Sequence, residues 1–288
     1  MAIDEVFVGG AGLMGHGIAQ VFAASGRNVV LYEPDLARAD AGRSRIAGNL
    51  DRSVAKGRLE ATARDETIAR IRTSSSAADA SAAGLVVEAI FEDVEVKRRF
   101  WSELDAQAAA GAIFASNTSS ISIDTLAGAV GPARRERFVG MHFFSPVPVM
   151  PLVELVRGSA TSDETANTVR ELAADLGKRV IVSLDRPGFI VNRMLMPFLA
   201  EAMRALEDGI GTADDIDAGA TIGLNHPMGP LALADFIGLD VCLGIMEVLH
   251  EGFVDDRFAP PRVLIELVEG GHLGQKSGRG FHHYGEGA

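Results

Sequence analysis

Apolar positions follow two rhythms along the chain, and the rhythm changes near residue 186. Before that point, short runs rich in β-branched residues alternate with longer stretches whose apolar positions recur every three or four residues. "EVFVGG" predicts a strand, and "GIAQVFAASG" predicts a helix that stops at Gly26. "NVVLYE" predicts a second strand, and residues 35–57 a long helix rich in Ala and Arg. "GLVVEAIF" predicts a strand followed by a helix over 93–109. "AIFASN" and "RFVGMHFF" continue the strand series, and a helix over 163–176 with the strand "RVIVSL" closes it. The Ala/Ser cluster at 73–84 reads as a loop with a short helix. Strands alternating with helices predict an α/β fold with a parallel, doubly wound sheet.

At "LDRPGFIVNRM" the texture changes. Pro187-Gly188 breaks the chain, and the residues beyond it read as helix with Gly and Pro punctuation. The expected organisation is an α/β domain over 1–186 and an all-helical domain over 187–288. The helical part is apolar enough to predict self-association.

Composition narrows the function. The net charge of −12 makes the chain a poor general binder of nucleic acid or anionic membrane, so an anionic ligand must be held by local donors. The one cysteine, Cys242, sits in an apolar segment and is expected to be a small buried hydrophobe. One cysteine cannot form an internal disulfide, and no cluster suggests a metal site, so a reducing, cytoplasmic setting is expected. The opening residues carry acids rather than a basic stretch before an apolar run, so no signal peptide is expected. No uncharged stretch reaches the ~18 residues of a membrane span. The closing "GEGA" matches neither a lipidation nor a peroxisomal signal.

Between the first strand and helix lies the loop Gly10-Ala11-Gly12-Leu13-Met14-Gly15. Gly10 permits a tight turn, Gly12 lets backbone approach a pyrophosphate, and Gly15 lets the helix pack close to the sheet. A helix N-terminus there offers free N–H groups to phosphates. Glu33 ends the second strand, 21 residues after Gly12. A carboxylate at that position accepts hydrogen bonds from an adenosine ribose and repels a 2′-phosphate. The next residues are Pro34 and Asp35, with no arginine, so NAD is expected rather than NADP.

The segment "VGMHFFSPVPVMPLVELVR" places His142 in one strand-like run and Glu154 in the next, with three prolines between. In an antiparallel hairpin centred on Pro148 the two residues oppose each other. They are then either a core histidine with its partner or a catalytic base with its orienting acid.

With these motifs in hand, the chain resembles the 3-hydroxyacyl-CoA dehydrogenase family in its short, single-chain form. The marks of the resemblance are "VGGAGLMGHGIAQ", "VVEAIFEDVEVK", "ASNTSSISI", "GMHFFSPVPVMPLVELV", "DRPGFIVNRML", "HPMGPLALADFIGLD" and "GQKSGRGF", in order over nearly the whole length. The resemblance implies a Rossmann-like N-terminal domain, a helical C-terminal domain and a homodimer formed through the latter. It implies that His142 is the base, Glu154 its partner, Ser119 a donor to the substrate oxygen, and Asn192 an orienting amide. It places Glu92, Lys97, Ser119, Ser145 and Lys276 beside NAD, and Asn49, Lys56 and Ser119 beside the acyl-CoA substrate. From the pattern alone, Glu92 and Lys97 read as a solvated helix face. Three positions depart from the family: Asn49 and Ser145, whose contacts differ from the usual residues, and His282 in "GFHHY", expected to serve packing. His226 is expected to hold its loop by a hydrogen bond, and His16, His250, His272 and His283 to be exposed.

Two rival readings stay open. One is an NAD-dependent dehydrogenase of a small hydroxy acid or sugar acid without CoA. The other is a dinucleotide-binding sensor or structural protein with an inactive site.

Overall fold

The computed structural model describes residues 3–285, so the last three residues of the "GEGA" tail lie outside the described residues. The chain divides into two compact units between Arg186 and Pro187.

The first unit is an eight-stranded sheet with helices on its faces. Its elements begin with β1 (Glu5–Gly9), α1 (Leu13–Ala24), β2 (Asn28–Tyr32), α2 (Leu36–Ala55), α3 (Ala61–Ala69) and β3 (Ile71–Ser74). β4 (Leu85–Glu88), α4 (Val94–Gln107), β5 (Ile113–Ser116), α5 (Ile123–Ala127), α6 (Pro132–Arg135) and β6 (Phe138–Phe143) come next. β7 (Leu152–Arg157), α7 (Asp163–Asp175) and β8 (Arg179–Leu184) complete it. The strand order is β3-β2-β1-β4-β5-β6-β7-β8. Pairing is parallel from β3 through β6, as the alternation predicts. The β6–β7 hairpin then reverses the direction, and β8 pairs parallel to β7.

The helices start where short polar side chains take up the first free amides. Asp35 accepts from the Ala37 amide, Asp93 from Val96 and Ser162 from Thr165. On one face of the sheet, Ile18 and Phe22 of α1 and Ile46 and Leu50 of α2 bury against Val6, Val8, Leu31 and Val87. On the other, the fully buried Trp101 of α4 stacks at 4.9 Å on Phe114 and meets Phe138 edge-on at 4.8 Å.

Besides the short helices α5 and α6 between β5 and β6, two regions differ from the expected pattern. Thr73 and Ser74 close the edge strand β3 rather than opening a loop, and only Ala77–Ala82 form a short 3₁₀ helix. The nine-residue α3 before them was not predicted. Its sequence "ATARDETIA" buries only Thr67, so it carries almost no apolar stripe to read.

The second unit is helical: α8 (Val191–Glu207), α9 (Ala213–Ala218), α10 (Pro230–Ile237), α11 (Leu239–Phe253) and α12 (Arg262–Glu269). Leu199, Met203, Leu231, Met246, Leu249 and Leu264 fill its core together with Cys242. Cys242 is buried as expected, and burial pushes its thiol up to about 12. Large apolar side chains also face outward, among them Ile222 at 84% exposure and Val254 at 89%. No helix among the described residues is long and apolar enough to cross a membrane.

The closing segment wraps over Asp235, which is 1% exposed. Its carboxylate accepts from the amides of Phe281 at 3.0 Å and His282 at 2.9 Å, and from the Tyr284 hydroxyl at 3.0 Å. The approach demands glycine at 280, where a Cβ would sit 1.8 Å from Asp235 Oδ1.

Candidate active site

The first cluster lies at the C-terminal ends of the parallel strands, where open α/β sheets bind ligands. The turn after β1 is held by Gly10 at a φ of +97°, and a Cβ there would meet the Ala89 carbonyl oxygen at 2.4 Å. A Cβ on Gly15 would lie 1.8 Å from the Gly10 carbonyl oxygen, so α1 can start this close to the turn only without a side chain. A Cβ on Gly12 would meet nothing within 4 Å, which leaves the loop open on that side. α1 has no side-chain cap and no acid in its first turn. Its first N–H groups therefore face outward with the positive end of the helix dipole, suited to a pyrophosphate. Leu13 is exposed and Met14 half-buried at this turn. Glu33 follows β2, and its Oε1 accepts from the Ala11 amide at 2.8 Å. The carboxylate that was expected to take a ribose thus also ties the glycine loop to the second strand.

β6 and β7 supply the second cluster. Their register pairs His142 directly with Glu154, as the hairpin centred on Pro148 predicts. His142 Nδ1 lies 3.0 Å from Glu154 Oε2, with the histidine 6% exposed and the glutamate fully buried. A carboxylate at that nitrogen requires a proton there and so fixes the imidazole tautomer. Two residues missed in the sequence hold the hairpin in place. Asn117 Oδ1 accepts from the Phe143 amide at 2.8 Å, joining the end of β5 to the strand of His142. The Lys178 ammonium donates to the carbonyls of Val147 at 2.6 Å and Met150 at 2.8 Å, closing the loop between the strands.

The third cluster corrects the expectation of a solvated helix face. Lys97 is 1% exposed and is paired with Glu88 and, at 3.1 Å, with Glu92. Glu92 Oε1 in turn accepts from the Thr118 hydroxyl at 2.6 Å and the Ser119 amide at 2.8 Å. Glu92, Lys97 and Ser119, which lie in two separate sequence motifs, therefore form one network. Glu88, which sequence reasoning missed, is fully buried beneath them. Its position in the strand-like run "LVVEAI" gave no signal of that burial.

A basic cavity of about 270 Å³ lies between α1, α2 and the 145–149 loop. Asn49, Arg52, Ser53, Lys56 and Arg58 line one side, and His16, Gln20 and Ser145 others. Asn49 accepts from Arg52, which fixes its amide. Ser145, expected among the cofactor contacts, lines this cavity together with Asn49 and Lys56.

The remaining expected site residues belong to the second unit. Asn192 sits in the first turn of α8 and is buried. Lys276 lies in an exposed 3₁₀ turn, with its ammonium 2.7 Å from Asp240. His282 is not mere packing: its Nε2 lies 2.8 Å from Asp217 and its Nδ1 3.4 Å from Asp214. The His226 ring lies 5.1 Å from that of Phe198, tilted by 50°, and it is the His226 backbone amide that holds the loop, donating to the Ala220 carbonyl at 3.1 Å. His16, His250 and His272 are half-buried rather than exposed.

Comparison with known proteins places the chain in a family. Residues 5–186 match the model of the 3-hydroxyacyl-CoA dehydrogenase NAD-binding domain, and residues 188–284 that of the C-terminal domain. A 3-hydroxybutyryl-CoA dehydrogenase of Bradyrhizobium diazoefficiens is 49% identical, covering 98% of this chain and 96% of its own. A probable 3-hydroxybutyryl-CoA dehydrogenase of Bacillus subtilis is 45% identical, with 99% of each chain covered. The solved (S)-3-hydroxybutyryl-CoA dehydrogenase of Ralstonia eutropha superposes with a TM-score of 0.96 at 44% identity, covering 99% of this chain and all of its own. The chain belongs to the 3-hydroxyacyl-CoA dehydrogenase family of NAD-dependent oxidoreductases.

Proposed function

We propose that this protein interconverts short-chain (3S)-3-hydroxyacyl-CoA, such as 3-hydroxybutyryl-CoA, and the matching 3-oxoacyl-CoA. The observation that carries the reading is the buried His142–Glu154 pair, set by strand register with 3.0 Å between Nδ1 and Oε2. NAD, when bound, supplies the hydride exchange with substrate C3. The glycine loop from Gly10 through Ala11, Gly12, Leu13 and Met14 to Gly15 holds the pyrophosphate. Glu33 serves two tasks, with one oxygen on the Ala11 amide and the other offered to a ribose hydroxyl. Glu92, Lys97, Ser119, Ser145 and Lys276 are the further cofactor contacts.

In the oxidative direction His142 takes the 3-hydroxyl proton at Nε2. Glu154 keeps the Nδ1 proton in place and stabilises the imidazolium that forms. In reverse the imidazolium protonates the alkoxide oxygen. Ser119 donates a hydrogen bond to the same oxygen, and Asn192 orients substrate and base. Asn49 and Lys56 are offered to the CoA phosphates, in a cavity whose Arg52 and Arg58 supply local positive charge on a chain of net charge −12. The exposed apolar residues of the second unit suit burial in a homodimer of more than ~1,200 Å².

The dehydrogenase of a small hydroxy acid or sugar acid without CoA is the competing reading. NADH oxidation decides between them, with acetoacetyl-CoA set against free acetoacetate and an oxidised sugar acid. Acetoacetyl-CoA is expected to give a kcat/KM at least about a hundredfold above the free acid, a difference of ~2.7 kcal/mol in transition-state binding. Equal values overturn the acyl-CoA reading.

A further inference from the structure

Lys97 lies at the centre of a buried set of charges that the proposed chemistry does not fully use. Glu88 Oε1 accepts from Lys97 and from the Ile90 amide at 2.9 Å, and its Oε2 accepts from the Ser116 hydroxyl at 2.7 Å. Ser116 is the last residue of β5, so Glu88 is anchored to two neighbouring strands. Glu92 contacts the same ammonium but stands on a turn and reaches the Thr118–Ser119 segment. The lysine thus joins a rigid carboxylate in the sheet to a carboxylate that holds the Ser119 loop.

Burial pushes the Glu88 carboxyl up, against the pull of Lys97 and Ser116. Burial acts on Glu92 in the same sense, but Lys97 and the Thr118 and Ser119 donors outweigh it and hold that carboxyl below its ordinary value. No ion pair to Lys97 beyond these two occurs among the described residues. Ser116 and Thr118 are neutral. On the elements packed against α4, Asp79 is engaged with Arg72 and Ser74, and Asp124 with Ser159. On α4 itself, Arg98 pairs with Glu95, and Asp105 with Arg134.

We propose that Glu88 is a positioning residue: it fixes the Lys97 ammonium in place, and through it holds Glu92 on the Ser119 loop. The inference rests on the reading of Glu92 and Lys97 as cofactor contacts. A glutamine at this position offers one acceptor oxygen where the carboxylate offers two to Lys97, the Ile90 amide and Ser116, so the ammonium loses its fixed place and cofactor binding weakens.

The test is NADH binding to the full-length protein, followed by nicotinamide fluorescence at neutral pH, with thermal melts alongside. Glu88→Gln keeps the shape and removes one acceptor. It is expected to weaken NADH about tenfold. Ser116→Ala keeps the charge and loosens its anchor. It is expected to weaken NADH two- to threefold at an unchanged melting temperature, and it decides the matter if Glu88→Gln does not fold. A Glu88→Gln protein with lower thermal stability but unaltered NADH affinity overturns the proposal in favour of a purely structural carboxylate. So does a Ser116→Ala protein indistinguishable from the original. A folded Lys97→Gln variant that binds NADH normally instead overturns the cofactor-contact reading on which the proposal stands.

Discussion

Two histidine–carboxylate pairs use the same functional groups in different settings. His142 Nδ1 lies 3.0 Å from Glu154 in the first unit, and His282 Nε2 lies 2.8 Å from Asp217 in the second. The difference lies in the other commitments of each pair. Glu154 is fully buried in a strand, and its partner is set by the β6–β7 register. Asp217 instead accepts from the Leu231 amide at 2.8 Å and the Ala232 amide at 3.0 Å, so it caps the first turn of α10. His282 then clamps the closing segment onto that cap, shared with the exposed Asp214. An imidazole beside a carboxylate is therefore not in itself a catalytic unit. Register-fixed geometry at the end of the parallel sheet supports the catalytic role we propose for the first pair, while duties to backbone amides mark the second as a fastening.

Substitutions at the two pairs separate these roles. His142→Gln is expected to lower kcat with acetoacetyl-CoA by about 10²–10⁴, the usual worth of acid–base help, with NADH affinity retained. Steady-state kinetics with a parallel NADH titration check it. Asp217→Asn keeps one acceptor but loses the charge on two amides and an imidazole. It is expected to cost ~2 kcal/mol of stability, a drop of several degrees in the melting temperature, with kcat within about twofold of the original. A collapsed kcat at unchanged stability would reverse the assignment of the two pairs.

The smallest expected effect is on the ionisation of the two tyrosines. Burial, with Asp235 beside it, pushes Tyr284 up to about 12, and burial also raises Tyr32. For a group whose folded value is raised, the stability contribution is complete below the unfolded value of ~10 and is lost as the pH climbs through the folded value. Phenolate absorbance in the native protein should thus rise later than in urea, with Tyr284 the later of the two. Asp217 contributes to the Tyr284 shift, so Asp217→Asn should bring that phenol slightly down. Coincident native and denatured titrations would contradict the packing described for the closing segment.

Sequence reading succeeded where the partner of a residue follows from local periodicity. The turn at Gly10, the close start of α1 at Gly15 and the His142–Glu154 register all follow from strand and turn rules applied within one or two elements. It failed where the partner lies on a distant element. Lys97 sits in "VEVKRRF", whose charges read as a wet helix face, and its burial depends on Glu88 of another element. The link between Lys178 and the Val147 carbonyl, and that between His282 and Asp217, span 31 and 65 residues, with no repeat to signal either. β3 was missed because four residues, "IRTS", of which only the two ends are buried, cannot be told from a polar loop. The unit boundary, by contrast, was marked by Pro187-Gly188 and by the change of rhythm, and the chain divides there.

The most direct test of the central claim is Glu154→Gln, measured as kcat with acetoacetyl-CoA and NADH beside a thermal melt and an NADH titration. The substitution keeps the volume and one hydrogen-bond acceptor while removing the charge. If Glu154 orients His142 and stabilises its imidazolium, kcat falls by orders of magnitude while fold and NADH affinity are nearly retained. Added to His142→Gln, it lowers kcat little further, because the two act as one unit. A Glu154→Gln protein with lower thermal stability and near-normal kcat would contradict the account and make the pair a core histidine with its partner.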